Sequence, residues 1–151
     1  MVDVQRALPR GQTAGVPTAR QIQSWSRAAL DDAGRSGQVA VRIVGEDESA
    51  ELNSTYRGKR GPTNVLSFPF DAPEGMAHWP LGDIVICAPV VAREAAEQGK
   101  TLAAHWGHMV VHGTLHLLGF DHIRAADARV MEDRERAILA KLGFADPYRE
   151  Q

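Results

Sequence analysis

The sequence predicts an α+β fold: a single domain with a small mixed β-sheet packed by helices, and a metal site on a long helix that ends at a glycine turn. Three observations predict it. Short alternating or apolar runs of strand length are interleaved with longer runs of helical period. A chain of 151 residues, 44% hydrophobic and 24% charged, can bury one proper core. No internal repeat or convincing linker divides it, so residues 1–151 are expected to form one domain.

The elements follow in order. Residues 2–7 make a short strand, and "PRGQTAGVPT" (9–18) is a flexible connection. From Thr18 to Ala33, Ile22, Trp25, Ala29 and Leu30 recur at helical spacing, and Gly34 and Gly37 end the run. "QVAVRIV" (38–44) alternates as a strand does. "EDESAELNSTYR" (46–57) is a helix with acidic residues early and Arg57 late, as the helix dipole favours. "GKRGPT" breaks it, and "NVLSFPF" (64–70) is a strand whose Pro69 assigns it to an edge, because proline cannot donate to a ladder. A proline- and glycine-containing loop (71–80) leads to "GDIVICA" (82–88), an apolar, central strand. The pattern is then helical from Pro89 to Gly119 with an interruption at 97–101, and a last helix, 125–143, stops at Gly143.

Bulk properties narrow the function. A formal net charge of −2 supplies no global basic field for nucleic acid, so an anionic substrate must be drawn in locally. The single cysteine, Cys87, leaves no internal disulfide partner and, in its apolar setting, reads as a plain buried residue. The first residues lack the apolar core of a secretory signal, and no run reaches the roughly 20 apolar residues that span a bilayer. A cytoplasmic protein with no membrane partner is expected.

The chemistry concentrates in "HGTLHLLGFDH" (112–122), which holds three of the six histidines. Their offsets, with a glycine at the eighth position, match the zinc motif H-E-x-x-H-x-x-G-x-x-H, except that Gly113 stands where the catalytic glutamate would be. His105, His108, His112 and His116 fall within an arc of roughly 80° on one helix. His112 and His116, one turn apart, can reach a single ion. His108 lies eight residues from His116, about 12 Å along the axis, so the two cannot comfortably share one ion. Gly119 can turn the chain back and bring His122 to the same face. Three imidazoles would leave a fourth position open, as catalytic sites do. By ligand type they suit zinc, nickel or copper. Asp121 has two readings of equal weight: an acceptor that orients a ligand imidazole or takes a proton near a bound water, or a residue that begins the next turn or caps the helix starting near Ala125.

Without the glutamate, peptide hydrolysis lacks its proton shuttle. Phosphodiester cleavage depends more on cations, and Arg57, Lys59 and Arg60 lie in the loop leading to the edge strand.

Together "LNSTYRGKRGPTNVLSFPF" (52–70), "LGDIVIC" (81–87), "HWGHMVVHGTLHLLGFDH" (105–122) and "LGFADPY" (142–148) closely resemble the bacterial YbeY endoribonucleases. The resemblance implies a metal-dependent, single-strand-specific endoribonuclease acting in ribosomal RNA processing, notably 3′-end maturation of the small-subunit RNA, and in ribosome quality control. It implies one Zn2+ per chain held by His112, His116 and His122, with Arg57 as the catalytic arginine. Single-stranded ribosomal RNA is the expected partner, contacted by Arg57 and Lys59, together with the ribosome or its proteins. It also offers His78 and Trp79 as residues that could stack on a base. Two other readings stand beside it: a zinc metalloprotease-like hydrolase with a base other than glutamate, and a non-catalytic ribosome assembly factor whose metal stabilises the fold.

Overall fold

A computed structural model of the chain describes residues 1–11, 13, 15–71, 80–121 and 123–149. Its sheet contains β1 (Val2–Ala7), β2 (Gln38–Val44), β3 (Val65–Pro69) and β4 (Pro80–Cys87), in the spatial order β1-β2-β4-β3. The first three neighbours run parallel, whereas β3 lies antiparallel to β4. The sheet is therefore mixed, β4 is interior, and the strand carrying Pro69 is an edge, as its proline requires. The helices are α1 (Ala19–Asp32), α2 (Glu46–Arg57), α3 (Ala88–Glu97), α4 (Leu102–Leu117) and α5 (Ala125–Lys141).

Strand alternation sorts the sheet residues between two faces. Val39, Val41, Ile43, Ile84 and Ile86 pack with Ile22 and Trp25 of α1 and with Trp106, Met109 and Val110 of α4. Val44, Leu66, Val85 and Cys87 turn the other way, against Val90 of α3 and Leu52 of α2. Cys87 is thus a buried core thiol. Helix α5 adds an outer layer, with Met131, Ile138 and Leu139 closing over Ala29, Val111 and Leu115. Among the described residues no helix is long and apolar enough to cross a membrane.

Local chemistry fixes the helix ends. Thr18 and Gln21 form a capping box on α1, with each side chain bonded to the other's backbone N–H. Helix α4 begins at Thr101, whose hydroxyl accepts from Ala104 N–H at 3.1 Å. It ends at Gly119, which takes φ +99°, a left-handed conformation that costs glycine no Cβ clash. Gly119 N–H reaches His116 O at 3.1 Å and Phe120 N–H reaches Leu115 O at 3.2 Å, so the last carbonyls of the histidine helix are satisfied.

Gly113 has a steric explanation. It lies on the side of α4 pressed against the sheet, where an added Cβ would sit 2.8 Å from Ile84 Cγ2 and 3.2 Å from Val65 Cγ2. The Ser67 hydroxyl donates to Gly113 O at 3.1 Å across the same contact. The missing side chain lets α4 approach β3 and β4 closely, and a glutamate here would point into the core.

Gly113→Ala should therefore cost roughly 1–3 kcal/mol of stability, the usual range for overpacking a close contact. Gly113→Glu should cost more, because it also buries a carboxylate. Urea unfolding of the three proteins measures this, and wild-type stability in Gly113→Ala would contradict the close approach.

Candidate metal centre

Four histidines climb one side of α4 with ring-centroid separations of 6.1 Å for His105–His108, 6.1 Å for His108–His112 and 5.5 Å for His112–His116. Their environments separate them. His105 is buried, with Nε2 2.8 Å from Glu94 Oε1, and Glu94 also accepts from Asn64 Nδ2 at 3.1 Å. His105 thus ties α4 to α3 and to the start of β3. Burial lowers its pKa below the ordinary 6.5, and the nearby Glu94 carboxylate opposes this only in part.

His108 and His112 meet at a group the sequence analysis did not identify, Glu135 of α5. Its carboxylate is wholly buried. Glu135 Oε1 lies 2.5 Å from His112 Nδ1, and Oε2 lies 3.2 Å from His108 Nε2. The Tyr148 hydroxyl donates to Oε2 as well. Burial pushes the Glu135 carboxyl upward, but hydrogen bonds and charge from His108 and His112 outweigh it, and its pKa falls to about 2. An ionised carboxylate only accepts hydrogen bonds. His112 therefore donates from Nδ1, and in its neutral form this tautomer keeps the ligating lone pair on Nε2. His108 carries its proton on Nε2, and its buried Nδ1 has no hydrogen-bond partner among the described residues.

Potential ligand atoms of His108, His112 and Glu135 lie within 4.8 Å of one another, so this group could hold a metal ion. The 2.5 Å contact between His112 and Glu135 is a hydrogen-bond distance. Two donors around an ion bound at about 2.0–2.1 Å in a tetrahedral site would sit further apart. The donor chemistry accordingly fits an imidazole held by a carboxylate behind it, with its other nitrogen turned towards an ion. His116 continues the face one turn on, and His122 lies outside the described residues.

The remaining expected residues are distributed as follows. Asp121 Oδ1 accepts from Ile123 N–H at 3.2 Å in the turn after α4, and the carboxylate bonded to His112 is Glu135. Arg57 is the last residue of α2, exposed beside the left-handed Gly58, and Lys59 follows it, also exposed. Helix α2 packs on the sheet face opposite α4, and among the described residues no hydrogen bond or ion pair joins Arg57 or Lys59 to the histidines. A groove of about 560 Å³ on that α2 face presents Tyr56, Phe68 and Phe70 beside Arg42 and Asp83. His78 and Trp79 lie outside the described residues.

A sequence signal for Glu135 did exist. It occupies a position on α5 that the pattern Met131, Ile138, Leu139 reserves for apolar residues, at offsets −4, +3 and +4. A glutamate in an apolar stripe needs a buried partner.

Comparisons with known proteins identify the family of the chain. A family model described as endoribonuclease YbeY matches residues 11–143. A Methylococcus capsulatus protein named endoribonuclease YbeY is 59% identical over 150 residues, covering 99% of this chain and 97% of its own. One of the same name from Halorhodospira halophila is 53% identical, with both chains fully covered. A solution structure of a Thermotoga maritima protein superposes with a TM-score of 0.58 at 24% identity, over 99% of this chain and 100% of that one, a likeness of fold alone.

The acid limb of stability follows from the two shifted groups. His105 has a lowered pKa, so its contribution is full above 6.5 and declines as pH falls below that value. Glu135 has a folded value of about 2 against an ordinary 4.5, so its contribution is full above 4.5 and is lost as pH falls from there through 2. Urea midpoints measured from pH 7 to pH 2 should show both losses. Glu135→Gln should be less stable at pH 7 yet lack the loss below 4.5. An equally steep fall in that variant would contradict the assignment.

Proposed function

The chain belongs to the YbeY endoribonuclease family, and from that premise we propose that it is a metal-dependent, single-strand-specific endoribonuclease acting in ribosomal RNA processing. Its tasks in this reading are 3′-end maturation of the small-subunit RNA and ribosome quality control, carried out by residues 1–151 as one unit. The observation that carries the metal dependence is the Glu135 carboxylate behind His112, which fixes the imidazole in the tautomer that ligation requires.

In this reading His112, His116 and His122 hold one Zn2+ ion. When bound, the ion supplies Lewis-acid charge to a phosphodiester oxygen. The chain's own residues do the rest. Glu135 holds His112 in orientation, and the close contact at Gly113 fixes α4 against β3 and β4. Arg57, exposed and without an ion-pair partner among the described residues, neutralises charge that develops on the phosphate. Lys59 binds the RNA backbone. With a net charge of −2, substrate capture depends on these local cations or on the ribosome and its proteins.

Purified protein incubated with single-stranded RNA and, separately, with an unfolded protein, each with and without chelator, tests the reading. RNA cleavage that chelator and His112→Ala both abolish is expected. Cleavage of the protein substrate alone would replace the nuclease reading with a protease, and cleavage of neither with a non-catalytic assembly factor. Arg57→Ala should lower RNA cleavage by about a hundredfold or more while fold and metal content stay unchanged. Wild-type cleavage by metal-loaded Arg57→Ala would remove Arg57 from the mechanism.

A further inference from the structure

We propose that the C-terminal segment 142–149 is a positioning element of the metal centre: it lays the Tyr148 hydroxyl on Glu135 and, through Glu135, holds the ring of His112 for an ion. The inference rests on the metal reading above and extends it to residues that touch no ligand.

The segment is docked by contacts other than the Tyr148 hydroxyl bond. Helix α5 ends at Leu142, after which Phe144 N–H returns to Leu139 O at 2.8 Å. The Phe144 ring lies edge-on to Trp25 at 5.7 Å. It occupies the space left by Gly107 on α4, where an added Cβ would approach Phe144 Cε2 to 2.7 Å. Arg136 on α5 then donates through Nε to both oxygens of Asp146, at 3.1 and 3.2 Å, and Asp146 Oδ1 accepts from Tyr148 N–H at 2.9 Å. The same guanidinium stacks over the Tyr148 ring, 5.1 Å from its centroid. These contacts turn the chain back along α5 and direct the tyrosine towards α4.

The polar end of Tyr148 points inward. Tyr148 is 37% exposed as a residue, whereas Glu135, which accepts a hydrogen bond from its hydroxyl, is 0% exposed. His108 Nε2 is 3.2 Å from the same hydroxyl, and the two rings meet edge-on at 5.3 Å. Three donors therefore converge on one carboxylate: His112 Nδ1 on Oε1, and His108 Nε2 and the Tyr148 hydroxyl on Oε2. Burial and the neighbouring carboxylate raise the Tyr148 pKa, so the phenol stays protonated and remains a donor. Loss of the Tyr148 bond leaves one oxygen of a buried carboxylate short of a donor, and the carboxylate can then rotate away from His112. Partners of this kind govern metal affinity because they fix the tautomer and orientation of the ligand ring.

The test is metal affinity by chelator competition with Zn2+, together with the visible absorption of the Co2+-loaded protein. The proteins compared are the wild type, Tyr148→Phe, Arg136→Ala, Glu135→Gln and His112→Ala. Tyr148→Phe keeps the ring and its stacking and removes only the donor, so it should stay folded, with a melting temperature without metal lowered by no more than the loss of one hydrogen bond accounts for. Its Zn2+ affinity should fall about 10-fold, within the 10- to 100-fold range typical of such partners, and its Co2+ spectrum should change. Arg136→Ala, which loosens Asp146 and the stacked ring, should fall in the same direction. Glu135→Gln should fall further. Wild-type affinity and spectrum in Tyr148→Phe, alongside lost affinity in His112→Ala, would overturn the role of the tail while leaving the metal reading intact. Absence of Zn2+ binding by the wild type, or full affinity in His112→Ala, would overturn the metal reading and this inference with it.

Discussion

A single carboxylate without access to water sets the conditions under which the rest of this structure can form. Burying an isolated charge costs several kcal/mol, and the cost is recovered only where hydrogen bonds and opposite charge meet the ion. Glu135 meets those terms with donors from two other parts of the chain, His108 and His112 on α4 and Tyr148 beyond α5. Removing any one of them returns part of the desolvation cost to the carboxylate. The packing of α5 on α4 is therefore more than the apolar contact of Met131, Ile138 and Leu139 with Val111 and Leu115. It is specified by one charged group whose needs only this arrangement satisfies.

The opposite side of α4 is governed by volume. Glycine at 113 removes the side chain that would hold the helix off Ile84 and Val65, and the helix settles against the sheet. One residue thus faces the core, and its predecessor, His112, faces α5. The departure from the protease zinc motif at Gly113 is consequently as much a matter of packing as of chemistry, since a glutamate there would meet apolar side chains before it met a substrate.

Much of the fold was legible in the sequence because the deciding signals are local. The alternation of 38–44 and the acidic start and basic end of 46–57 coincide with β2 and α2 to the residue. Pro69 announced the edge strand, and Gly119 and Gly143 announced the ends of α4 and α5. The shared face of His112 and His116 was legible because helical periodicity alone puts them one turn apart. Glu135 was not, although its place in an apolar stripe marked it as unusual, because its partners are 23 and 27 residues away and on another helix. Asp121, adjacent to the motif in sequence, is joined among the described residues to the local turn at Ile123, whereas Glu135 is the carboxylate bonded to His112. Spacing within a helix predicts which ligands can meet, whereas the groups that orient them depend on tertiary packing.

The two Leu-Gly-Phe stops, at 118–120 and 142–144, have a consequence for the order of assembly. In both, the glycine N–H and the phenylalanine N–H close back onto the last turn of their own helix, so α4 and α5 can end correctly before either finds a partner. Helical hydrogen bonds form within about a microsecond, whereas contacts between distant segments must wait for loop closure and docking. His112 and His116 are in register from the earliest helical state, yet the carboxylate that selects the tautomer of His112 arrives only when α5 docks and the chain beyond it folds back. A site able to hold a metal would then be completed late, and a chain in which α5 and the segment beyond it have not docked would present histidines without a finished site. Ion capture in such a molecule would double as a report that folding is complete.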